Sequence, residues 1–491
     1  MEVRCAWAGS DGPYQYDPFL VGLTEFEQEL DVFSLDGVGA LTQARVEITT
    51  PGTDLANLQG DWYAVTAATV ELALLWEGQT WEDRLVVLDG GTVAGAEFGL
   101  EGQATTISVE ATPPVTSAAV GDDERDVGVD WPAPLLDTGG VDEMTDLAGA
   151  KYVHVYGDPQ SVPAYKVGNV GGQNRLILAG HHLARSGASY PVTVYEDGAS
   201  IGAFTVTNAS INGGDYAYVE SATDFLSADG AYTWSATYGG VAAADGADRP
   251  ALNAEGLARK LLSESGLRVD WRQSEPCLAK LRDWRMGFYV DQEAAAVDVL
   301  RDRVLAQLPV VEMSSGAGIW LAYCDPHVAP IEATLTLGQE LVGRVGPMEI
   351  SDLEAIRNSF TINYAPEVFS GELLSTAKLG ESNSALCYWS QQLYGVRVDE
   401  PLDCDAISDG ATAMRVLTAR ANRLALPRRI LRYEVAPDAY WLEAGMAVSL
   451  TDAPYGIDRH RGVITSINRS MYPFEARIEL VDRTPFAREV A

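Results

Sequence analysis

A chain of 491 residues with 47% hydrophobic and 9% aromatic content is too long for one ordinary core and too apolar for wholesale disorder. Its 70 acidic side chains against 34 basic ones give a net charge of −36, which opposes phosphate backbones and excludes sequence-specific nucleic-acid binding. No apolar run approaches the ~20 residues that span a bilayer, and the start, MEVRCAWAGSDGPYQYDPF, lacks the basic head and apolar centre of a secretory signal, so export by that route is not expected.

The charge is unevenly spread. Residues 1–150 hold 28 acidic and 4 basic side chains, a net −24, whereas residues 251–491 hold 33 and 25, a net −8. The plain reading is an acidic host proteome in which charge serves solubility. A compatible functional reading is a surface to which DNA does not adhere. Five cysteines (Cys5, Cys277, Cys324, Cys387 and Cys404) form an odd, widely spaced set with no CxxC pair, which favours free buried thiols over a disulfide framework.

In chain order, residues 1–118 read as a β-barrel-like domain: RVEITTP, TVELALLWEG, DRLVVLDG and TTISVEATPP are strands parted by turns such as Asp89-Gly90-Gly91, with Asp54–Gly60 a short helix or a loop. Residues 119–150 lack a sustained period and carry Asp122, Asp123, Glu124 and Asp126, as an acidic linker or arm would. Residues 151–249 hold six short runs with glycine-rich turns (KYVHVYG, RLILAG, YPVTVYEDG, IGAFTVTNA, DYAYVES, AYTWSATYG) and read as an inserted β-sandwich.

Helices enter in residues 250–370, an α+β domain. Asn253 caps NAEGLARKLLSES, in which Leu257 and Leu261 share a face and Gly266 is the stop. A second helix from Asp291 to Leu308 aligns Val297, Leu300, Val304 and Leu308. The hairpin VVEMSSGAGIWLAY follows, then the runs IEATLTLG and NSFTINYA. Residues 371–491 give a helix over Ser382–Tyr394 and a second over Ala411–Leu426 that is capped by Asp409, stopped by Pro427 and striped by Met414, Leu417, Ala421 and Leu424. Four runs close the chain: RRILRYEV, MAVSLTD, RGVITSIN and FEARIELVD. The fold class is mainly β with α+β segments: a multidomain chain of small β-barrels plus an inserted sandwich. The sequence does not decide whether the first and last β regions join.

The search for chemistry yields no catalytic, cofactor-binding or metal residue. Gly198-Ala199-Ser200-Ile201-Gly202 matches G-x-S-x-G formally, but both flanks alternate at period two, so the serine sits in a hairpin turn and not in a nucleophile elbow. The five histidines (His154, His181, His182, His327 and His460) show no ligand spacing. Cys324-Asp325-Pro326-His327 is half a metal site, better read as a turn, and His181-His182 reads as an exposed loop after RLILAG. Acidic residues are too many to single out a glycosidase pair, and Trp62-Tyr63, Trp76 and Trp81 read as β-core aromatics before a sugar platform. Asn208-Ala209-Ser210 and Asn468-Arg469-Ser470 match the glycosylation pattern without a secretory context. No nucleotide-binding loop is present, and no cofactor or enzymatic activity is expected.

Taken in order, NAEGLARKLLSESGL, NSFTINYAP, Leu393-Tyr394-Gly395-Val396-Arg397, the helix at 411–426, LEAGMAVSLTD and the paired final strands resemble the tail-tip or baseplate hub proteins of tailed bacteriophages and of gene transfer agents. The resemblance covers roughly half the chain. It implies a homotrimer in which each subunit gives two similar β-barrels to a ring of pseudo-sixfold symmetry. The ring joins the tail tube or distal tail protein to a central spike or tail fibre, with a tape measure protein as a further partner. DNA would pass the lumen without specific binding, and the location would be the tail tip of a virion. The closing helix would pack its Met414/Leu417/Leu424 face on the last barrel, leaving Arg415, Arg420 and Arg423 off that stripe, solvated by default or paired with carboxylates of a neighbouring subunit. An alternative function is a tail-associated carbohydrate-binding or wall-degrading protein.

Overall fold

The computed structural model describes residues 118–120, 152–160, 162–170, 172–183, 191–211, 214–225, 234–237, 252–315, 318–367, 370–471 and 474–482, and before these the backbone of seven strands between Ser10 and Glu110. Asp54–Gly60, Trp62, Tyr63, Trp76, Trp81, Cys5 and the acids at 122–126 lie outside the described residues.

The fold is mostly β, and one sheet joins the two ends of the chain. Leu20–Glu29 runs antiparallel to Ile457–Met471, with Phe26 opposite Arg469 and Glu29 opposite Ser466. Beyond Leu20–Glu29 follow Gln43–Ile48, Thr105–Glu110, Leu85–Phe98 and Thr69–Leu74. On the other side come Phe474–Asp482, Arg429–Val435 and the short edge strands Leu341–Arg344 and Glu349–Ile350. Ile457–Met471 is the pivot. One of its edges is taken by Phe474–Asp482; the other is shared, first by Ala447–Asp452 and then by Leu20–Glu29. A register shift between Ile464 and Ser466 falls where that second edge passes from one partner to the next. Ala447–Asp452 also carries Ala333–Thr336 in parallel.

The strands read from the sequence at both ends are present. Leu20–Glu29 was not among them, its acid-rich LVGLTEFEQE masking the alternation. Asp89-Gly90-Gly91 is not a turn: Leu85–Phe98 passes straight through it, and the pairing with Thr69–Leu74 slips there, between Gly91 and Leu88. Glycine without a side chain accommodates such a bulge inside a strand.

The region 151–249 contains two facing four-stranded sheets. One has the order 162–163, 234–237, 191–196, 199–205; the other 165–170, 173–179, 214–221, 207–211. Period-two alternation turns Val192, Val194, Leu176, Leu178, Ala217 and Val219 inward to a core of their own. IGAFTVTNA, read as one strand, is two: it crosses from one sheet to the other at Val206.

His154–Gly157 does not join the sandwich. It pairs with Gly287–Val290, sending Val155 into the sandwich core while Tyr156 enters the main core and stacks on Phe288 at 5.4 Å. Gly157 (φ +74°) faces Gly287, and a Cβ on either would stand inside the opposite backbone.

The main core contains the helices. Asn253 Oδ1 accepts from Gly256 N at 2.9 Å to start Ala254–Glu264, and Gly266 (φ +70°) follows its end. The second helix starts at Ala296 and not Asp291, because Ala294–Ala295 is taken up by pairing with Ala119–Val120. Val297, Leu300, Val304 and Leu308 are buried as their spacing requires, through a π turn at Leu300–Val304. A further helix, Trp271–Lys280, shows no clean helical period in the sequence because Pro276 interrupts its pattern. The hairpin pairs Val310–Ser315 with Gly318–Tyr323.

The closing helix is Gly410–Leu424, with Asp409 Oδ1 accepting from Ala411 N and Thr412 N at 3.0 Å. It packs on the hairpin Phe360–Pro366/Leu373–Leu379, not on the final strands. The solvated arginines are corrected at two of three positions: Arg423 is 5% exposed and Arg420 Nε donates to Asp399 Oδ2 at 2.7 Å, whereas Arg415 is exposed and donates to the carbonyl of Asp283.

Candidate assembly surface

The sequence motifs with chemical potential resolve into structural elements. Asp197 (φ 47°) and Gly198 (φ 79°) turn the hairpin of Pro191–Glu196 and Ala199–Thr205, so Ser200 lies exposed on a strand with no helix after it. Asp325 is buried and closes the turn after Cys324, accepting from His327 N and from Asn422 Nδ2, each at 2.9 Å. Cys277, Cys324, Cys387 and Cys404 are free and buried, and burial pushes the Cys324 and Cys404 thiols up to about 12, far from reactive thiolates.

His181 is not an exposed loop residue. Its Nε2 accepts from Val155 N at 2.9 Å and its Nδ1 meets His182 O at 3.0 Å, so the neutral ring clamps the strand that links the two cores. Burial, helped by neighbouring His154, brings its pKa down to about 3.

A cluster the sequence reading missed is Ser210, His182 and Asp215. Ser210 Oγ donates to Asp215 Oδ1 at 2.5 Å and stands 3.4 Å from His182 Nε2, which is also 3.4 Å from Asp215. A hydrolytic triad needs the carboxylate on the far ring nitrogen to orient the histidine. Here the carboxylate accepts the serine hydroxyl's hydrogen bond directly, so the cluster ties one exposed strand edge together. The adjacent Asn208 accepts from the N–H of Leu183 and donates to its C=O.

Among the described residues, apolar exposure distinguishes one part of the surface. The helix Ala385–Tyr394 begins at Ser384, whose Oγ accepts from Cys387 N at 3.3 Å, and ends at Gly395 (φ +73°). Cys387 and Ser390 point inward, and Asn358 fixes the far end through Ser390 Oγ (3.0 Å), Gly395 O (2.9 Å) and Arg397 N (2.7 Å). The outward positions then fall on Tyr388, Trp389 and Leu393, with Val396 and Val398 continuing the line. Leu393 and Val396 are 66% and 68% exposed, and Tyr388 meets Trp389 edge-on at 5.4 Å.

A second apolar group, Val342, Met348, Ile350 and Leu353, follows the short edge strands of the large sheet. The two groups meet at Arg397, which donates to Leu353 O and, at 3.4 Å, to Tyr394 O. Leu374 is exposed on Leu373–Leu379, which among the described residues pairs on one side only. Covering side chains of this size is worth about 1.5–3 kcal/mol each, and contiguous apolar patches mark contact sites. Among the described residues, every large apolar side chain that is exposed lies between Trp271 and Trp441. The sequence signals were the helix period at 382–394 and its unusually apolar composition; which face looks outward required the fold.

No family model matches the chain, and no curated protein matches it. Solved structures similar to it include the 43 kDa tail protein of prophage MuSo2 from Shewanella oneidensis, at 10% identity and a TM-score of 0.40 over 94% of both chains. The tail protein from Neisseria meningitidis MC58 aligns at 9% identity and 0.37, over 94% of this chain and 93% of that one. A chain of the native gene transfer agent particle aligns at 13% identity and 0.42, over 70% of this chain and 87% of that one. The structural neighbours are therefore phage tail proteins and a gene transfer agent virion protein, and likeness this distant carries no argument for fold or function.

Proposed function

We propose that the chain is a non-enzymatic structural protein of a phage-type tail: a trimeric hub at the tail tip. It would join a sixfold tube or distal tail ring to a threefold spike or fibre, with a tape measure protein as a further partner. The observation that carries this reading is that, among the described residues, exposed large apolar side chains concentrate between Trp271 and Trp441, on a scaffold in which Leu20–Glu29 is hydrogen-bonded to Ile457–Met471. Such a scaffold holds its outer faces rigid, and a closed ring needs the same faces repeated on each subunit. The family resemblance of the segments after residue 250 supplies the assembly. The net −24 of residues 1–150 would repel DNA phosphates, so the genome would slide through the lumen without being held.

Light scattering coupled to size-exclusion chromatography, followed by electron-microscopic class averages, tests this. A threefold ring with a central hole is expected. A stable monomer that binds no tail protein overturns it.

A further inference from the structure

Arg423 carries a charge into the interior. It sits in the last turn of the helix Gly410–Leu424 and is 5% exposed. The turn after Cys324 comes up beside it, because the neighbouring Asn422 donates from Nδ2 to Asp325 Oδ2 at 2.9 Å.

Nothing in the chain meets the guanidinium. Its Nε and Nη1 are buried without a hydrogen bond, and no carboxylate pairs with it among the described residues. The acids nearby are engaged elsewhere. Asp399 accepts from Arg420 Nε at 2.7 Å. Asp325 has one oxygen on Asn422 Nδ2 and the other on His327 N, each at 2.9 Å. It attracts Arg423 through space only, and its own burial, which raises its pKa, makes it a weak counter-charge. Cys324 supplies none, since burial pushes its thiol up to about 12 and keeps it protonated at neutral pH. Arg420 and Arg428 repel the group, and Arg428, itself 3% exposed, donates from Nε to Arg423 O at 3.4 Å. Burial brings the Arg423 guanidinium down only to about 10, so it remains a cation at neutral pH.

A buried cation with idle donors needs a counter-charge. A water molecule satisfies the N–H groups but leaves the charge uncompensated, whereas an anion does both. Burial also limits the size of that anion. At 5% exposure neither an acidic side chain of another protein nor a nucleic-acid phosphate reaches Nε or Nη1, while an ion near the size of water can be enclosed.

We propose that Arg423 forms a buried site for a small monovalent inorganic anion of the chloride class. The ion lies between the last turn of Gly410–Leu424 and the turn at Cys324–His327, and it accepts hydrogen bonds from the idle N–H groups of Arg423. The site is contained in one subunit, so it holds whether or not the chain assembles into a ring.

The test uses the full chain and R423M, which keeps a buried stem and removes the charge. Unfolding is followed at constant ionic strength while chloride replaces gluconate, an anion too large to enclose. The wild-type folding equilibrium constant should rise about tenfold for each tenfold increase in chloride above its dissociation constant. R423M should show no such rise, and in gluconate alone it should be at least as stable as the wild type. The chloride NMR line should broaden with the wild type and not with R423M. Equal chloride dependence in the two proteins overturns the site, as does a wild type insensitive to chloride, in which water satisfies Arg423. An R423M much less stable than the wild type in gluconate also overturns it, since Arg423 would then hold its counter-charge within the chain. If R423M does not fold, wild-type crystals grown in bromide decide: an anomalous peak within about 3.5 Å of Nε or Nη1 supports the site, and its absence overturns it.

Discussion

The sandwich within 152–237 and the helical body within 252–424 are built by the same chain and finished differently. In the sandwich, two facing sheets turn Val192, Val194, Leu176 and Val219 inward and leave no large apolar side chain exposed among the described residues. Its outer charges are paired on the surface, as in Arg175 with Glu220, where Arg175 also lies 5.0 Å over the Tyr218 ring. The body buries a larger core and still leaves Tyr388, Trp389, Leu393, Val396 and Val398 in solvent. A module that satisfies all its apolar surface is a complete fold. One that does not is finished by something else, so contact with a partner surface is expected on the body.

The comparison breaks first at the link between the two modules. Gly157→Ala forces a side chain into the Gly287 strand at a backbone conformation that L-residues avoid, and should cost about 3–5 kcal/mol. If the modules are separable, calorimetry of this variant will show two transitions, with the body's midpoint little changed. A single transition at the wild-type midpoint would mean that the Gly157–Gly287 contact does not hold them together.

Truncation within each core sharpens the contrast. Leu321→Ala, fully buried in the body hairpin, should cost about 2–5 kcal/mol. Val194→Ala, fully buried in the sandwich, removes less volume and should cost about 1–3 kcal/mol. Denaturant titration read at tryptophans of the body should register the first change and largely ignore the second. Equal shifts at both probes would show one cooperative unit.

Local signals made much of this legible in the sequence. Asp409 and Asn253 mark helix starts because their side chains meet orphan amides within three residues, which needs no tertiary knowledge, whereas the helix read from Ser382 starts at Ala385 behind Ser384. The four closing strands are likewise visible as alternating runs. Partnership was not legible. Nothing in LVGLTEFEQE names Ile457–Met471 as its neighbour, and nothing in KYVHVYG says that the strand leaves the sandwich. Arg423 shows the same limit on a single helix. It continues the row Val416–Ala419–Arg423, which is buried beside the expected Leu417–Ala421 row, so a helix covered on two rows takes an arginine inside. Burial brings that guanidinium down to about 10.

A smaller effect separates the large sheet from both modules by pH. Burial pushes the Asp452 carboxyl up, but Arg344 (Nε to Oδ2, 2.7 Å) and the Tyr433 hydroxyl (2.8 Å) more than offset it and hold it below the ordinary 3.8. A carboxyl lowered in the fold contributes stability above its ordinary pKa and loses it as pH falls through the folded value. Asp452→Asn should therefore cost about 1–3 kcal/mol at pH 7 and flatten the decline below about pH 4. An acid limb as steep as that of the wild type would remove Asp452 as its source.

The smallest expected change in stability carries the largest expected change in assembly. Trp389 and Leu393 are 47% and 66% exposed, so Trp389→Ser and Leu393→Ser should move the unfolding free energy by no more than about 0.5 kcal/mol. At the centre of a subunit contact, the same side chains would be worth about 2 kcal/mol or more each. The double variant should then melt as the wild type does, yet elute as a smaller species at concentrations where the wild type assembles. Matched substitutions on the sandwich, such as Tyr195→Ser on its half-exposed strand face, should leave the elution volume unchanged. If the sandwich variant dissociates the particle and the helix variant does not, the contact surface lies on the module that looks complete, and exposed apolar area is the wrong guide to this protein's partners.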